Sequence, residues 1–256
     1  MKDLANSLQG HDHFIGFTVA GDPDYDQTIQ QVLAMEKAGA DVVELGIAFS
    51  DPSADGPTIL AADQRALNNG ANTAAFFQMV AKLRQQSDIP LVILTYTNIV
   101  FKYGYEAFLA KMKELDIQGI ILPDLPLEEQ DEFYSLSQKY GRHLIQLVTS
   151  QSKGRLPEIL KSASGFVYVV SSLGITGTRA ELSNEANDLI KAIRQHSDIP
   201  VAVGFGISKP EQAKQFHEAN SIIVGSALVD IIAQHPHDSE KYLMDFIHAM
   251  KEGSHA

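Results

Sequence analysis

The chain has 256 residues, 45% of them hydrophobic and 20% charged, which is enough to bury one sizeable core and suits a single α/β barrel domain over residues 1–256. Its formal net charge of −12 argues against a nucleic-acid surface and against an anionic membrane, and the lack of cysteine excludes disulfides, thiolate metal sites and a cysteine nucleophile. No apolar run approaches the roughly 18 residues that span a bilayer, and Met1-Lys2-Asp3-Leu4-Ala5-Asn6 lacks the charged-then-apolar order of a secretory signal, so the expected location is cytoplasmic.

Residues 14–19 read as a first strand, stopped by Gly21-Asp22-Pro23, after which Ile29, Val32 and Leu33 set a helical spacing that ends at Gly39. Residues 41–46 form a second strand, with Val43 and Leu45 on one face and Val42 and Glu44 on the other. Its long acidic, proline-rich loop leads to helices over residues 57–68 and 73–86. Strand three covers 91–95, with Tyr105, Phe108, Leu109, Met112 and Leu115 as the buried stripe of its helix. Strand four covers 119–122, and Phe133, Leu136 and Tyr140 mark the helix that ends at Gly141. Strand five is 144–148, followed by Leu156, Ile159 and Leu160, and strand six is 166–170.

Residues 171–184 are rich in Gly, Thr and Ser without apolar period and read as a loop, ahead of a helix containing Leu189, Ile190 and Ile193. Strand seven is 201–203, and Ser208-Lys209-Pro210-Glu211 has the form of a capping box. Strand eight is 221–224. A short helix opened by Gly225-Ser226 runs through Ile232, and after His235-Pro236-His237 a last helix buries Tyr242, Leu243, Phe246, Ile247 and Met250. Parallel strands buried on both faces need crossover helices, so this alternation predicts a single (β/α)8 TIM barrel with extra helices in the loops after strands two and eight. Leu83-Arg84-Gln85-Gln86-Ser87-Asp88-Ile89-Pro90 recurs four units later as Ile193-Arg194-Gln195-His196-Ser197-Asp198-Ile199-Pro200, as a half-barrel repeat or one good turn used twice would give. The alternative, a doubly wound open sheet, needs a reversal of strand order that nothing marks.

In such a barrel the strand C-termini build the active face, which gathers Glu44, Asp55, Phe17, Tyr96, Asp124, Tyr168 and Thr176 at one mouth. A carboxylate on a strand buried from both sides is costly unless it is hydrogen-bonded or titrates upward, and a raised pKa is what a general acid or base near neutral pH needs. Asp55, held by Gly56-Pro57, is placed either to share that site or to cap the helix that follows. Phe17 and Tyr168 also suit plain packing, and Asp124 a plain cap. Asp51 is a third acid, but the three lack the spacing of a hard-cation site, and the nine histidines give no ligand geometry, so no metal is expected.

Gly204-Phe205-Gly206 and Gly225-Ser226 follow strands seven and eight, where close backbone approach and a helix N-terminus suit a phosphate. Read as a dinucleotide fingerprint the first fails, because Lys209 stands where the third glycine belongs. Gly174-Ile175-Thr176-Gly177-Thr178-Arg179 has glycines to hinge on and polar side chains to close over a ligand, and is expected to be a mobile lid.

The segment from Glu44 to Pro57, Glu-Leu-Gly-x-x-Phe-Ser-Asp-Pro-x-Ala-Asp-Gly-Pro, resembles the signature of the tryptophan synthase alpha subunit. So do Ala20-Gly21-Asp22-Pro23, Tyr96-x-Asn98, Pro123-Asp124-Leu125-Pro126, Gly174-Ile175-Thr176-Gly177, Gly204-Phe205-Gly206-Ile207-Ser208 and Gly225-Ser226, in order along almost the whole chain. The resemblance implies a lyase that splits indole-3-glycerol phosphate into indole and glyceraldehyde 3-phosphate by retro-aldol chemistry, without a cofactor in this subunit. It makes Glu44 the acid/base, Asp55 the partner of the indole N–H, Phe17, Tyr96 and Tyr168 parts of the indole pocket, Thr176 and Gly177 parts of the lid, and Gly204, Phe205, Gly206, Gly225 and Ser226 the phosphate site. It also implies a beta subunit in an alpha2-beta2 complex, met near Asp51, Asn98 and Pro126. Ala48 and Ser53 depart from the family's usual Pro and bulkier apolar residue, in the loop that faces that partner. Two other readings remain at this stage: a self-sufficient indole-releasing lyase, and a non-catalytic regulatory barrel that binds a phosphorylated ligand.

Overall fold

The computed structural model describes residues 4–170, 179–204 and 206–255, without the side chains of 179–183, 254 and 255. Its strands are β1 (His13–Ala20), β2 (Val42–Ile47), β3 (Leu91–Leu94), β4 (Gly119–Ile121), β5 (His143–Leu144), β6 (Gln146–Val148), β7 (Val167–Val170), β8 (Val201–Gly204) and β9 (Ser221–Val224). They pair in parallel in the order β5-β4-β3-β2-β1-β9-β8-β7-β6. β5 and β6 are two pieces of one strand parted at Ile145, whose N–H donates to Ile120 O at 2.9 Å, so the two ends of the ladder meet. The result is the expected (β/α)8 barrel with no reversal of strand order.

Alternation along the strands sorts the core into two layers. Val43, Leu45, Leu91, Ile93, Ile120, Leu144, Val167, Val169, Val201 and Val203 face outward under the helices. Ile15, Val42, Val92, Ile121, Ile145, Phe166, Tyr168, Ala202 and Ile223 fill the lumen. The end of the lumen away from the strand C-termini is closed by Leu4 and Leu8, fully buried residues carried on or just after the short helix Leu4–Ser7. Each is worth about 1.5–3 kcal/mol of burial. That helix is too short to show a period in the sequence.

Five sequence expectations are corrected, the first being Tyr242, expected to be buried on the last helix and found 41% exposed. Helix Thr97–Tyr103 follows β3 ahead of the expected Tyr105–Glu114; its seven residues are mostly β-branched and aromatic, and it takes its first N–H partner from Asp124 on another loop rather than from a local cap. The helix after β7 spans Arg179–Arg194, so the last part of the expected loop 171–184 is helical, in keeping with the helix formers Ala180, Glu181 and Leu182. The capping box at Ser208 is absent: Lys209 is the N-cap of Pro210–Ala213, and the Gln212 side chain, not Glu211, accepts the Ser208 N–H at 2.9 Å. The helix expected over 73–86 stops at Leu83.

The repeated octapeptide builds one turn twice. Arg84 Nη1 donates to Ile89 O and Arg194 Nη1 to Ile199 O, both at 2.8 Å, while Ser87 and Ser197 hydroxyls accept from the Ile89 and Ile199 N–H groups at 3.1 and 3.2 Å. Among the described residues no helix is long and apolar enough to cross a membrane.

Candidate active site

β1 and β2 run in register with Phe17 beside Glu44, both on the lumen face. Glu44 is 1% exposed, and its Oε2 has no hydrogen-bond partner among the described residues. Burial, and next the charge of Asp55, push its carboxyl from 4.5 up to about 8. It is therefore mostly protonated at neutral pH and able to exchange its proton.

Asp55 is not the cap of helix Pro57–Asn68; that place belongs to Gly56, which offers no side chain. The Asp55 carboxylate instead accepts from the Tyr96 hydroxyl at 2.7 Å, and the same hydroxyl accepts the Ala54 N–H at 3.0 Å. Burial raises the Asp55 pKa and the Tyr96 bond pulls it down. The Tyr96 ring stacks on Phe49, centroids 5.2 Å apart, so two aromatic residues brace the acidic loop from strand ends β2 and β3. Tyr96 thus meets the site mainly through the acid it holds.

Tyr168, on β7, is buried, and burial, followed at high pH by the charges of Glu44 and Asp55, pushes its hydroxyl well above its ordinary range. Tyr168, Glu44 and Asp55 are near enough for their charges to act on one another. A Cβ at Gly204 would overlap the Tyr168 hydroxyl, so only glycine on β8 leaves it room. The Phe17 ring lies against the Gly46 and Gly225 backbones and shares an apolar cluster with Val19, Ile59, Ala62, Ala66 and Val229, with Ala48 packed against it. Phe17 and Tyr168 both pack and line the mouth.

The two glycine turns flank the same opening. Gly206 has φ 77°, open to glycine without strain, and its carbonyl accepts from Gln212 Nε2 at 3.1 Å. Gly225 is the N-cap of helix Ser226–Gln234 with no side-chain cap, which leaves the first N–H groups of that helix for an anion. Phe205, Thr176, Gly177 and every other residue of the expected lid at 174–179 except Arg179 lie outside the described residues.

Asp51, Asn98 and Pro126 are exposed on the loops after β2, β3 and β4, which are neighbours in the sheet. Asp51 accepts the Ser50 hydroxyl at 2.5 Å and joins no acid cluster among the described residues. Asp124 caps a helix, but that of the neighbouring unit: its carboxylate accepts the Thr97 N–H and hydroxyl, both at 2.9 Å, and so ties the loops after β3 and β4 together. Phe101, 69% exposed beside Asn98, was not singled out in the sequence; an aromatic residue in an amphipathic helix reads as core until its direction is known.

Sequence reasoning also missed two acids. Asp22, 2% exposed, receives Arg65 in a two-pronged pair at 2.8 and 2.7 Å, which binds the loop after β1 to helix Pro57–Asn68. Asp63, on the same helix, is 5% exposed. Asp63 and Arg65 were visible, but on an amphipathic helix they look like ordinary solvated charges.

The family model for the tryptophan synthase alpha chain matches residues 4–255. The tryptophan synthase alpha chain of Lacticaseibacillus casei is 48% identical over 235 residues, 91% of this chain and 88% of that one. That of Thermoanaerobacter sp. (strain X514) is 46% identical over 247 residues, covering 95% and 94%. Among solved structures, a chain of the tryptophan synthase a2b2 complex from Pyrococcus furiosus is 36% identical with a TM-score of 0.87, over 94% of this chain and 98% of that one. Tryptophan synthase subunit alpha from Legionella pneumophila str. Paris is 30% identical with a TM-score of 0.89, over 100% and 99%.

Proposed function

The chain belongs to the tryptophan synthase alpha chain family, and from that premise we propose that Glu44 and Asp55 carry its chemistry. The activity is that of a lyase in tryptophan biosynthesis, cleaving indole-3-glycerol phosphate to indole and glyceraldehyde 3-phosphate, and the partner is a tryptophan synthase beta subunit in an alpha2-beta2 assembly. We place it in the cytoplasm and treat residues 1–256 as one barrel domain, in keeping with a family match over 4–255.

Glu44 protonates the indole ring carbon that bears the glycerol chain. The ring becomes an electron-poor indolenine, and Asp55, accepting the indole N–H, favours that state over the neutral ring. Glu44, now a carboxylate, takes the proton of the hydroxyl next to the scissile bond. As that oxygen becomes the aldehyde, the carbon–carbon electron pair returns to the ring and releases indole. The net change moves one proton from hydroxyl to ring carbon, and Glu44 ends as it began. Phe17 and Tyr168 wall the indole. Gly204, Phe205, Gly206, Gly225 and Ser226 hold the phosphate through backbone N–H groups, against a net charge that repels it. Thr176 and Gly177 belong to the covering loop. The beta subunit is met at Asp51, Asn98 and Pro126, with exposed Phe101 on the same helix as Asn98.

The observation that carries this reading is Glu44: a nearly inaccessible carboxyl raised to about 8, with one oxygen unpartnered among the described residues, beside the acid held by Tyr96. The test is to incubate the purified chain, alone and with the beta subunit, with indole and glyceraldehyde 3-phosphate. Condensation that speeds up on mixing is expected. No condensation in either case would refute the assignment, and full speed without the partner would favour a self-sufficient lyase.

A further inference from the structure

β4 and the strand that follows it are joined by backbone bonds only as far as Ile145, whose N–H reaches Ile120 O at 2.9 Å. From Gln146 on, β6 pairs with β7 alone among the described residues. The sheet therefore has a seam at its mouth end, between the loop after β4 and β6, and side chains bridge it. Gln130, at the end of that loop, donates from Nε2 to the Ser162 hydroxyl at 2.8 Å and accepts at Oε1 from Gln146 Nε2 at 2.9 Å. Gln146 lies on β6, and Ser162, the last residue of helix Leu156–Ser162, donates in turn to Ile159 O at 3.1 Å. The three are 4%, 9% and 9% exposed. Nearer the surface Arg155 donates at 2.5 Å to Glu128, in the turn Leu127–Glu129 of the same loop.

Each side of the seam leads to a feature already described. On one side the loop after β4 carries Pro126, exposed where the beta subunit is placed above. On the other, Leu147 follows Gln146, is in register with Tyr168 and packs against the lumen cluster that contains Tyr168. Plain packing does not account for three polar side chains here. Gln130 is the N-cap of helix Asp131–Tyr140 yet makes no side-chain cap bond, and apolar residues would fill a buried seam without the desolvation of two amides and a hydroxyl. What a paired chain of amides adds is direction: it fixes loop and strand relative to one another in a single arrangement.

We propose that Gln130, Gln146 and Ser162 form a clasp through which docking of the beta subunit at the loop after β4 sets the Tyr168 wall of the indole pocket, so that Gln130 and Gln146 are positioning residues for partner-stimulated cleavage. This rests on the contact assigned to Pro126 above. A partner that holds the loop where the clasp is closed favours one placement of β6, and the coupling is the difference in its affinity for the closed and open arrangements. Leu147 takes the inward place on β6, so Gln146 faces away from the lumen. Both glutamines thus act without touching the substrate, and the chain alone keeps its own chemistry.

The test measures kcat for indole-3-glycerol phosphate cleavage by the chain alone and with saturating beta subunit, for the parent and for the double variant Gln130→Leu, Gln146→Leu. The double variant removes both amides together, so neither is left unpaired, and Ser162 keeps its bond to Ile159. It is expected to hold the lone-chain kcat within about twofold and to lose about tenfold of the stimulation by the partner, since ~1.4 kcal/mol, within the range for one such bond, is a factor of ten. Stimulation equal to the parent's, or a loss by the same factor with and without the partner, overturns the proposal; the second result is what a merely structural seam gives. Hydrogen exchange of the unsubstituted protein gives a readout free of folding effects: slower exchange of the amides of 146–148 once the beta subunit is bound supports the clasp, and unchanged exchange overturns it. Pro126→Asp separates the two levels. If it leaves both the affinity for the beta subunit and the stimulation unchanged, the contact reading fails and this inference falls with it. If it weakens them while the double variant behaves as the parent, only this inference fails.

Discussion

Exchanging Glu44 for glutamine replaces a buried acid by a neutral amide of nearly the same shape and should make the protein more stable at alkaline pH. The Glu44 carboxyl, ordinarily near 4.5, is carried to about 8 by burial and by Asp55. The folded chain then holds this proton more tightly than the unfolded chain, so this group's contribution is most favourable below 4.5. It declines as the pH rises between the two values and levels off above 8. At about 1.4 kcal/mol per pH unit the full difference is about 5 kcal/mol. Leaving the glutamine amide without partners returns about 1–3 kcal/mol of that, so a net gain of about 2–4 kcal/mol is expected at pH 8.5 and little or none at pH 5. Urea unfolding followed by far-ultraviolet circular dichroism at pH 5, 6, 7 and 8.5 measures it. A difference between Glu44→Gln and the parent that stays constant across this range would show that Glu44 does not titrate there, and the acid/base role would lose its physical basis.

Tyr96→Phe removes the hydroxyl that holds Asp55 and accepts the Ala54 N–H. The Asp55 pKa should rise further, because that bond lowers it, and kcat/KM should fall about tenfold or more, as for a charge-assisted bond worth about 1.5–3 kcal/mol. Arg65→Met leaves the buried Asp22 carboxylate unpaired and should cost about 3–5 kcal/mol. A fall in Tm of roughly 10 °C follows, readable by calorimetry. Gly204→Ala places a methyl group where the Tyr168 hydroxyl lies; about 1–3 kcal/mol of stability should be lost, with a raised KM as Tyr168 is pushed into the pocket.

The barrel was legible because each strand is a short apolar run buried on both sides and each crossover helix carries its own stripe. Glu44 was legible for the same reason: an acid at an inward position of such a strand is out of place. What sequence could not give is the direction of groups outside regular alternation. Whether Asp55 capped its helix or faced the mouth depended on a tyrosine one strand away. Asp124 does cap a helix, but one in a neighbouring loop that local reading could not connect to it. Helix Thr97–Tyr103 is held by that contact rather than by its own propensity, and Leu4 and Leu8 acquire a role only once a lumen exists for them to plug. Asp63 sat in plain view on a helix whose buried side was known only after Ile59, Ala62 and Ala66 were seen beneath Phe17.

The most direct measurement is single-turnover cleavage of indole-3-glycerol phosphate by Glu44→Gln and by Asp55→Asn, each assembled with the beta subunit and each checked for substrate binding. Both variants should bind substrate yet release indole slower by at least roughly 10²–10⁴-fold, as expected for loss of an acid–base group. Release at close to the parent rate by either variant would contradict a mechanism built on the two carboxyls at this mouth.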